Sequence, residues 1–120
     1  MIFTDELRLE KIIPPIVLPE GYRGKILLVS IVVNAERLVV LRSGDLWHRE
    51  ILRNTKIEVE ALGLSGAQVN ELGGAHLLFE EDGSILIWGS SEDFGRCDYN
   101  YVTALLKVIW PNRKITSPRS

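Results

Sequence analysis

Two histidines and one cysteine are the scarce reactive side chains of this 120-residue chain, and only imidazole changes charge near neutral pH without help from its surroundings. The first, His48, lies in "GDLWHREI", residues 44–51, just after Asp45, a residue type that favours a helix N-cap. A cap at Asp45 makes His48 the third helical residue, beside the unpaired amides and the positive dipole end of a first turn. That setting disfavours added positive charge and keeps the imidazole in the neutral form that attacks phosphorus or accepts a proton. The same amides suit an anion. The plainer alternative has His48 bordering an apolar helix face beside Trp47.

Hairpin register places the second histidine. Asp82-Gly83 between two apolar runs is a type I′ signal. A two-residue turn there pairs Glu81 with Ser84 and, further out along the ladder, His76 with Gly89. His76 then adjoins the strand exit "WGSSEDFG", residues 88–95, where Gly89, Ser90 and Ser91 can present successive amides as an anion-binding nest. Lys25, at the mouth of the first strand, adds a fixed positive charge. Taken singly, such a loop is more often a plain turn and such a lysine an ordinary surface residue.

Other chemistries are poorly served. There is no G-x-S-x-G elbow for a serine nucleophile. A lone cysteine allows neither an internal disulfide nor a cysteine-rich zinc knuckle, and two histidines would have to recruit carboxylates from unspecified places. No metal or cofactor is expected, and Cys97 reads as structural. With 46% apolar and 25% charged residues and a formal net charge of −2, the composition is that of a globular protein without the basic bias of a nucleic-acid or membrane-surface binder. No apolar run approaches the ~20 residues of a membrane helix. The charged opening "MIFTDELRLEK" lacks the apolar core of a secretion signal. These features lead to the expectation of a cytoplasmic monomer.

The positioning elements follow from periodicity. "IIPPIVLPEGYRG", with three prolines and two glycines in thirteen residues, reads as an extended arm laid against the domain. "KILLVSIVV" is a strand covered on both faces, and "RLVVLRS" a second strand after "NAE". In "DLWHREILRNTKIEVEALG", Trp47, Ile51, Thr55, Val59 and Leu62 form the apolar face of a helix closed by Gly63. Gly73-Gly74 marks a bulge or kink before the hairpin. A second helix, capped by Asp98 and stopped by Pro111, has an apolar face through Tyr101, Leu105, Val108 and Ile109, and "KITS" adds an edge strand. The expected architecture is a single α/β (α+β) domain over residues 1–120, a central mixed β-sheet of five or six strands flanked by two α-helices. Residues 1–23 form its arm and 24–116 its core.

From about Gly24 to Thr116 the chain resembles the protein histidine phosphatase family, also called the Janus/Ocnus family. The resemblance lies in the ordered set "GKILLV", "LWHREI", "ELGGAHLLF", "ILIWGSSEDFG" and "VIWPNRKI". It implies a central sheet flanked by two helices and a metal-independent phosphatase acting on phosphohistidine in proteins. On this resemblance His48 is the catalytic histidine, Lys25 the phosphate-binding lysine and Ser91 the phosphate-binding serine, with phosphate oxygens held by the amides of Ser91, Glu92 and Asp93. Two positions depart from the family pattern: His76 stands where it has arginine, and Asp93 where it favours a small residue. The expectation is a phosphohistidine phosphatase with His48 as nucleophile or general base and His76 beside the phosphoryl group. A non-catalytic phosphate- or phosphoprotein-binding module and a purely structural partner protein are the rivals.

Overall fold

In the computed structural model of the chain, residues 8–118 are described. Residues 1–7, most of the opening stretch weighed above as a possible leader, and residues 119–120 lie outside the described residues. The apolar run after Lys25 becomes β1 (Arg23–Val33), buried without a break from Ile26 to Ile31. Successive side chains of a strand point to opposite faces, and each face has its own core. Ile26 and Leu28 pack with Leu41, Leu77, Ile87 and Leu106. Leu27, Val29 and Ile31 pack with Val40, Ile51 and Val59.

The remaining elements are placed by these two cores. β2 (Glu36–Gly44) pairs antiparallel with β1 along one edge, and β3 (Gln68–Phe79) along the other. β4 (Ile85–Trp88) pairs antiparallel with β3, and β5 (Ile115–Thr116) closes the far edge parallel to β4. The sheet is therefore mixed and five-stranded, in the order β2-β1-β3-β4-β5. A short helix, α1 (Leu9–Ile12), and α2 (His48–Ala61) cover one face, while α3 (Tyr99–Ile109) covers the other. The expected α+β class is met. The third helix, α1, is four residues long, too short to show a helical period in the sequence. The arm that follows α1 runs along β2, with Val17 N–H donating to Leu41 C=O and Leu41 N–H to Pro15 C=O. Among the described residues no helix is long and apolar enough to cross a membrane.

Four local expectations are corrected. α2 starts later than Asp45: the Trp47 carbonyl accepts from the amides of Glu50 and Ile51, at 2.9 and 3.2 Å, so Trp47 is the N-cap, with no side-chain cap, and His48 the first helical residue. β2 persists through Gly44, leaving Asp45 and Leu46 to turn the chain. The buried face of α2 is accordingly His48, Ile51, Thr55 and Val59, while Trp47 and Leu62 are exposed. Gly63 closes the helix in the left-handed conformation, φ 73°, as expected.

α3 is capped by Asp98, which accepts from the amides of Asn100 and Tyr101 at 2.9 and 3.3 Å. It buries Val102 and Leu106 and turns Tyr101, Val108 and Ile109 outward, Val108 being 74% exposed. Apolar residues lie on two sides of this helix, so periodicity offers two faces; the buried Cys97 that leads into it joins the same core and selects one.

The β3–β4 hairpin is not a type I′ turn, which needs positive φ at both central residues. Asp82 does not have it; Gly83 does, at 91°. The Asp82 carboxylate instead accepts from the Ser84 amide and hydroxyl, at 2.9 and 2.6 Å. Gly83 N–H donates to Glu80 C=O, and Glu80 pairs with Ser84. The loop thus has three residues and the register moves by one, so His76 faces Trp88 rather than Gly89. The bulge expected at Gly73-Gly74 is present: pairing with β1 passes from Leu27↔Gly74 to Val29↔Glu71, with Gly73 at φ 101°.

Candidate functional site

Strand pairing brings chemistry to one end of the sheet, on the α2 side. Lys25 of β1 is the cross-strand partner of His76 of β3, which is in turn the partner of Trp88 of β4. Partners share a face. The His76 and Trp88 rings stack at 5.5 Å, and the His48 ring meets His76 edge-on at 5.9 Å.

His48 is seated on bare backbone. A Cβ at Gly74 would lie 2.5 Å from Cδ2 and 2.8 Å from Nε2 of its ring, closer than real Cβ contacts allow, so the glycine creates the seat. Nε2 lies 3.1 Å from the Ala75 carbonyl. A carbonyl only accepts, so Nε2 carries hydrogen and, in the neutral ring, Nδ1 keeps the lone pair. The side chain is only 5% exposed, yet no buried side-chain nitrogen or oxygen among the described residues lacks a partner. Nδ1, which has none, is therefore open to the adjoining cleft.

That cleft holds about 250 Å³. Lys25, His48 and His76 line it on the side of the sheet and α2, Ser90, Glu92 and Asp93 from the loop, and Trp47 at the rim. Five of the six expected site residues, Lys25, His48, His76, Glu92 and Asp93, thus share one cavity. Ser91 is buried and does not line it. Its hydroxyl oxygen accepts from the amides of Asp93 and Phe94, at 3.2 and 3.1 Å, and its own amide and carbonyl pair with Gly95. Of the three amides expected to face phosphate, those of Ser91 and Asp93 are used within the loop. Among the described residues the amides of Ser90 and Glu92 have no acceptor, and neither do those of His48 and Arg49 in the first turn of α2. Ser90 takes the cleft position assigned to Ser91. Sequence reasoning also missed Trp47 at the rim and Trp88 behind His76; a three-residue hairpin count would have found the latter.

The fixed charges are one cation, Lys25, and two carboxylates, Glu92 and Asp93, none ion-paired among the described residues. Desolvation, then the neighbouring His48 and Lys25, hold His76 below its ordinary pKa of 6.5. His76, standing where the family pattern has arginine, therefore lacks that residue's permanent charge. With a lowered pKa it is neutral at pH 7 and above and gains its proton only below about 6.5. His76→Arg is therefore expected to bind inorganic phosphate about tenfold more tightly than wild type at pH 8, with the two proteins converging as pH falls below 6. Parallel isotherms across that range would show that residue 76 does not face the anion. Among the described residues no three His, Cys, Asp or Glu side chains converge closely enough to hold a metal ion.

The model of the Janus/Ocnus family (Ocnus) matches residues 11–114, and no curated protein matches the chain. The match corrects the sequence resemblance in one respect. The family it identifies is not a phosphohistidine phosphatase family, so membership brings no phosphatase activity with it.

Proposed function

The chain belongs to the Janus/Ocnus family, and we propose that its cleft removes phosphate from phosphohistidine in proteins, with His48 as nucleophile or general base. The state of His48 carries this proposal: one ring nitrogen is fixed by Ala75 C=O while the other opens its lone pair to a cleft of side-chain size. Nδ1 either attacks phosphorus or takes a proton from the attacking water. In this reading Lys25 and the unengaged amides of Ser90 and Glu92 hold phosphoryl oxygens as charge redistributes. A phosphoramidate leaves readily once its nitrogen is protonated, so positioning and charge stabilisation suffice without a metal. A protein substrate, a cytoplasmic setting and action as a monomer belong to the same proposal.

The rival reading is a non-catalytic phosphate- or phosphoprotein-binding module on the same cleft: with the Ser91 and Asp93 amides used inside the loop, fewer donors remain to stabilise a transition state. Turnover separates the two readings. His48→Gln keeps a donor near Nε2 and its bond to Ala75 but removes the basic nitrogen. It is expected to lower hydrolysis of a phosphohistidine peptide about a hundredfold or more while its melting temperature stays within a few degrees of wild type. Undiminished turnover would remove His48 from the chemistry. Peptide binding by wild type without phosphate release would establish the module.

A further inference from the structure

His48 lies at the floor of the cleft and is almost fully buried, whereas Glu92 and Asp93 are exposed at its mouth. Phosphoryl transfer runs in line, with the attacking and leaving atoms on opposite sides of phosphorus. An attack launched from the floor therefore sends the leaving group to the mouth, where Glu92 and Asp93 lie. On this geometry we infer that Glu92 and Asp93 are specificity-determining residues that select phosphoryl groups borne on a positively charged nitrogen. The inference rests on the role proposed for His48.

The charge balance of the cleft supports it. Lys25 is its one permanent cation, His76 is neutral at pH 7, and Glu92 and Asp93 leave a net charge of −1. A phosphate ester brings two negative charges and no compensating cation, so it meets repulsion at the mouth. An N-phosphoryl group whose nitrogen or ring is protonated brings its own positive charge to the carboxylates, which also favour the proton that makes the nitrogen a good leaving group. In the step itself a water proton passes to His48 Nδ1 and the water oxygen bonds to phosphorus. The P–N bond breaks, its electron pair stays with the departing nitrogen and neutralises that group, and the His48 proton returns to solvent. In a direct attack Nδ1 bonds to phosphorus as the same P–N bond breaks, and water then cleaves the phospho-His48 bond to release phosphate and return the lone pair to Nδ1; the charge change at the mouth is the same. Neither acidic side chain has an ion-pair partner among the described residues, so both are available to a ligand.

The test compares wild type with Glu92→Gln/Asp93→Asn on phosphoramidate, an N-phosphoryl zwitterion, and on p-nitrophenyl phosphate, an ester whose leaving group carries no positive charge, with inorganic phosphate as inhibitor and as a directly titrated ligand. The loop's own bonds involve backbone and Ser91 rather than these carboxylates, so the variant keeps its frame. The expected result is a tenfold or greater fall in the preference of kcat/KM for phosphoramidate over the ester, with phosphate bound about tenfold more tightly. An unchanged preference, or equal losses on both substrates, would overturn the inference. If wild type hydrolyses neither substrate, the hydrolase proposal fails, and the binding titration still decides the charge selection: phosphate no tighter in the variant, or undetectable in both proteins, overturns it.

Discussion

Gly74→Ala is expected to unseat His48 and lower turnover about a thousandfold while the sheet still forms. The added carbon has nowhere to go: it would sit 2.5 and 2.8 Å from ring atoms of His48 and 3.0 Å from the Ile26 carbonyl oxygen. The strand backbone is held on both sides, by β1 at Leu27 and by Gly95 and Cys97 across the 2.9 and 3.1 Å bonds of Gly74 N–H and C=O. The ring must therefore move. It loses the Ala75 bond and its Nδ1 shifts by more than an ångström, and misplacements of that size cost about a hundredfold alone. Overpacking of this kind also costs about 1–3 kcal/mol of stability. Turnover on a phosphohistidine peptide together with a urea titration checks both parts. Near-normal turnover would mean that the position of the ring is immaterial to the reaction.

A second large effect is expected outside the cleft, at Arg42. Arg42 is 4% exposed, and its guanidinium bonds both oxygens of Glu58, at 2.8 and 2.7 Å, together with the carbonyls of Leu41 and Pro14. It ties β2 to α2 and both to the arm. Removing one partner of such a pair strands the other, at about 3 kcal/mol. In a domain of this size that corresponds to a fall in Tm of about 10 °C. Arg42→Ala should show that loss, and Arg42→Met/Glu58→Leu should recover most of it, because two apolar side chains leave no charge behind. A double variant as unstable as the single one would locate the cost in packing rather than in the stranded charge.

Much of the frame was legible because it rests on strong, local signals. The run from Ile26 to Ile31 could only be a strand covered on both faces, and Asp98 and Gly63 are caps by residue type. What escaped was phase. Asp45 looks as good a cap as Asp98, but a strand that persists through Gly44 moves the helix start to His48, and the burial of α2 rotates with it. The sequence "EEDGS" satisfies a two-residue hairpin as well as a three-residue one; the Asp82 carboxylate bonding to Ser84 decides for the latter. Which of two consecutive serines faces the cleft is again a question of one residue, and the internal bonds of Ser91 leave that place to Ser90. The site residues were findable by type because imidazoles are scarce here, whereas the orientation of the His48 ring depends on Gly74, which no period reports.

The bulge in β3 has a consequence of the same kind. Before it, Val69 and Glu71 stand opposite Ile31 and Val29; after it, Gly74 and His76 stand opposite Leu27 and Lys25. All four therefore look toward α2, although two are odd-numbered and two even. β3 is one strand written in two frames, with two residues, Leu72 and Gly73, where β1 has only Leu28. Its first frame lays side chains under the body of α2, and its second lays a glycine beneath the head of that helix and an imidazole beside it. Flatten the bulge with both residues kept, so that strict alternation runs on from Glu71, and the second frame inverts: Ala75 and Leu77 would turn to α2, and His76 would be carried through the sheet into the oily layer beneath α3.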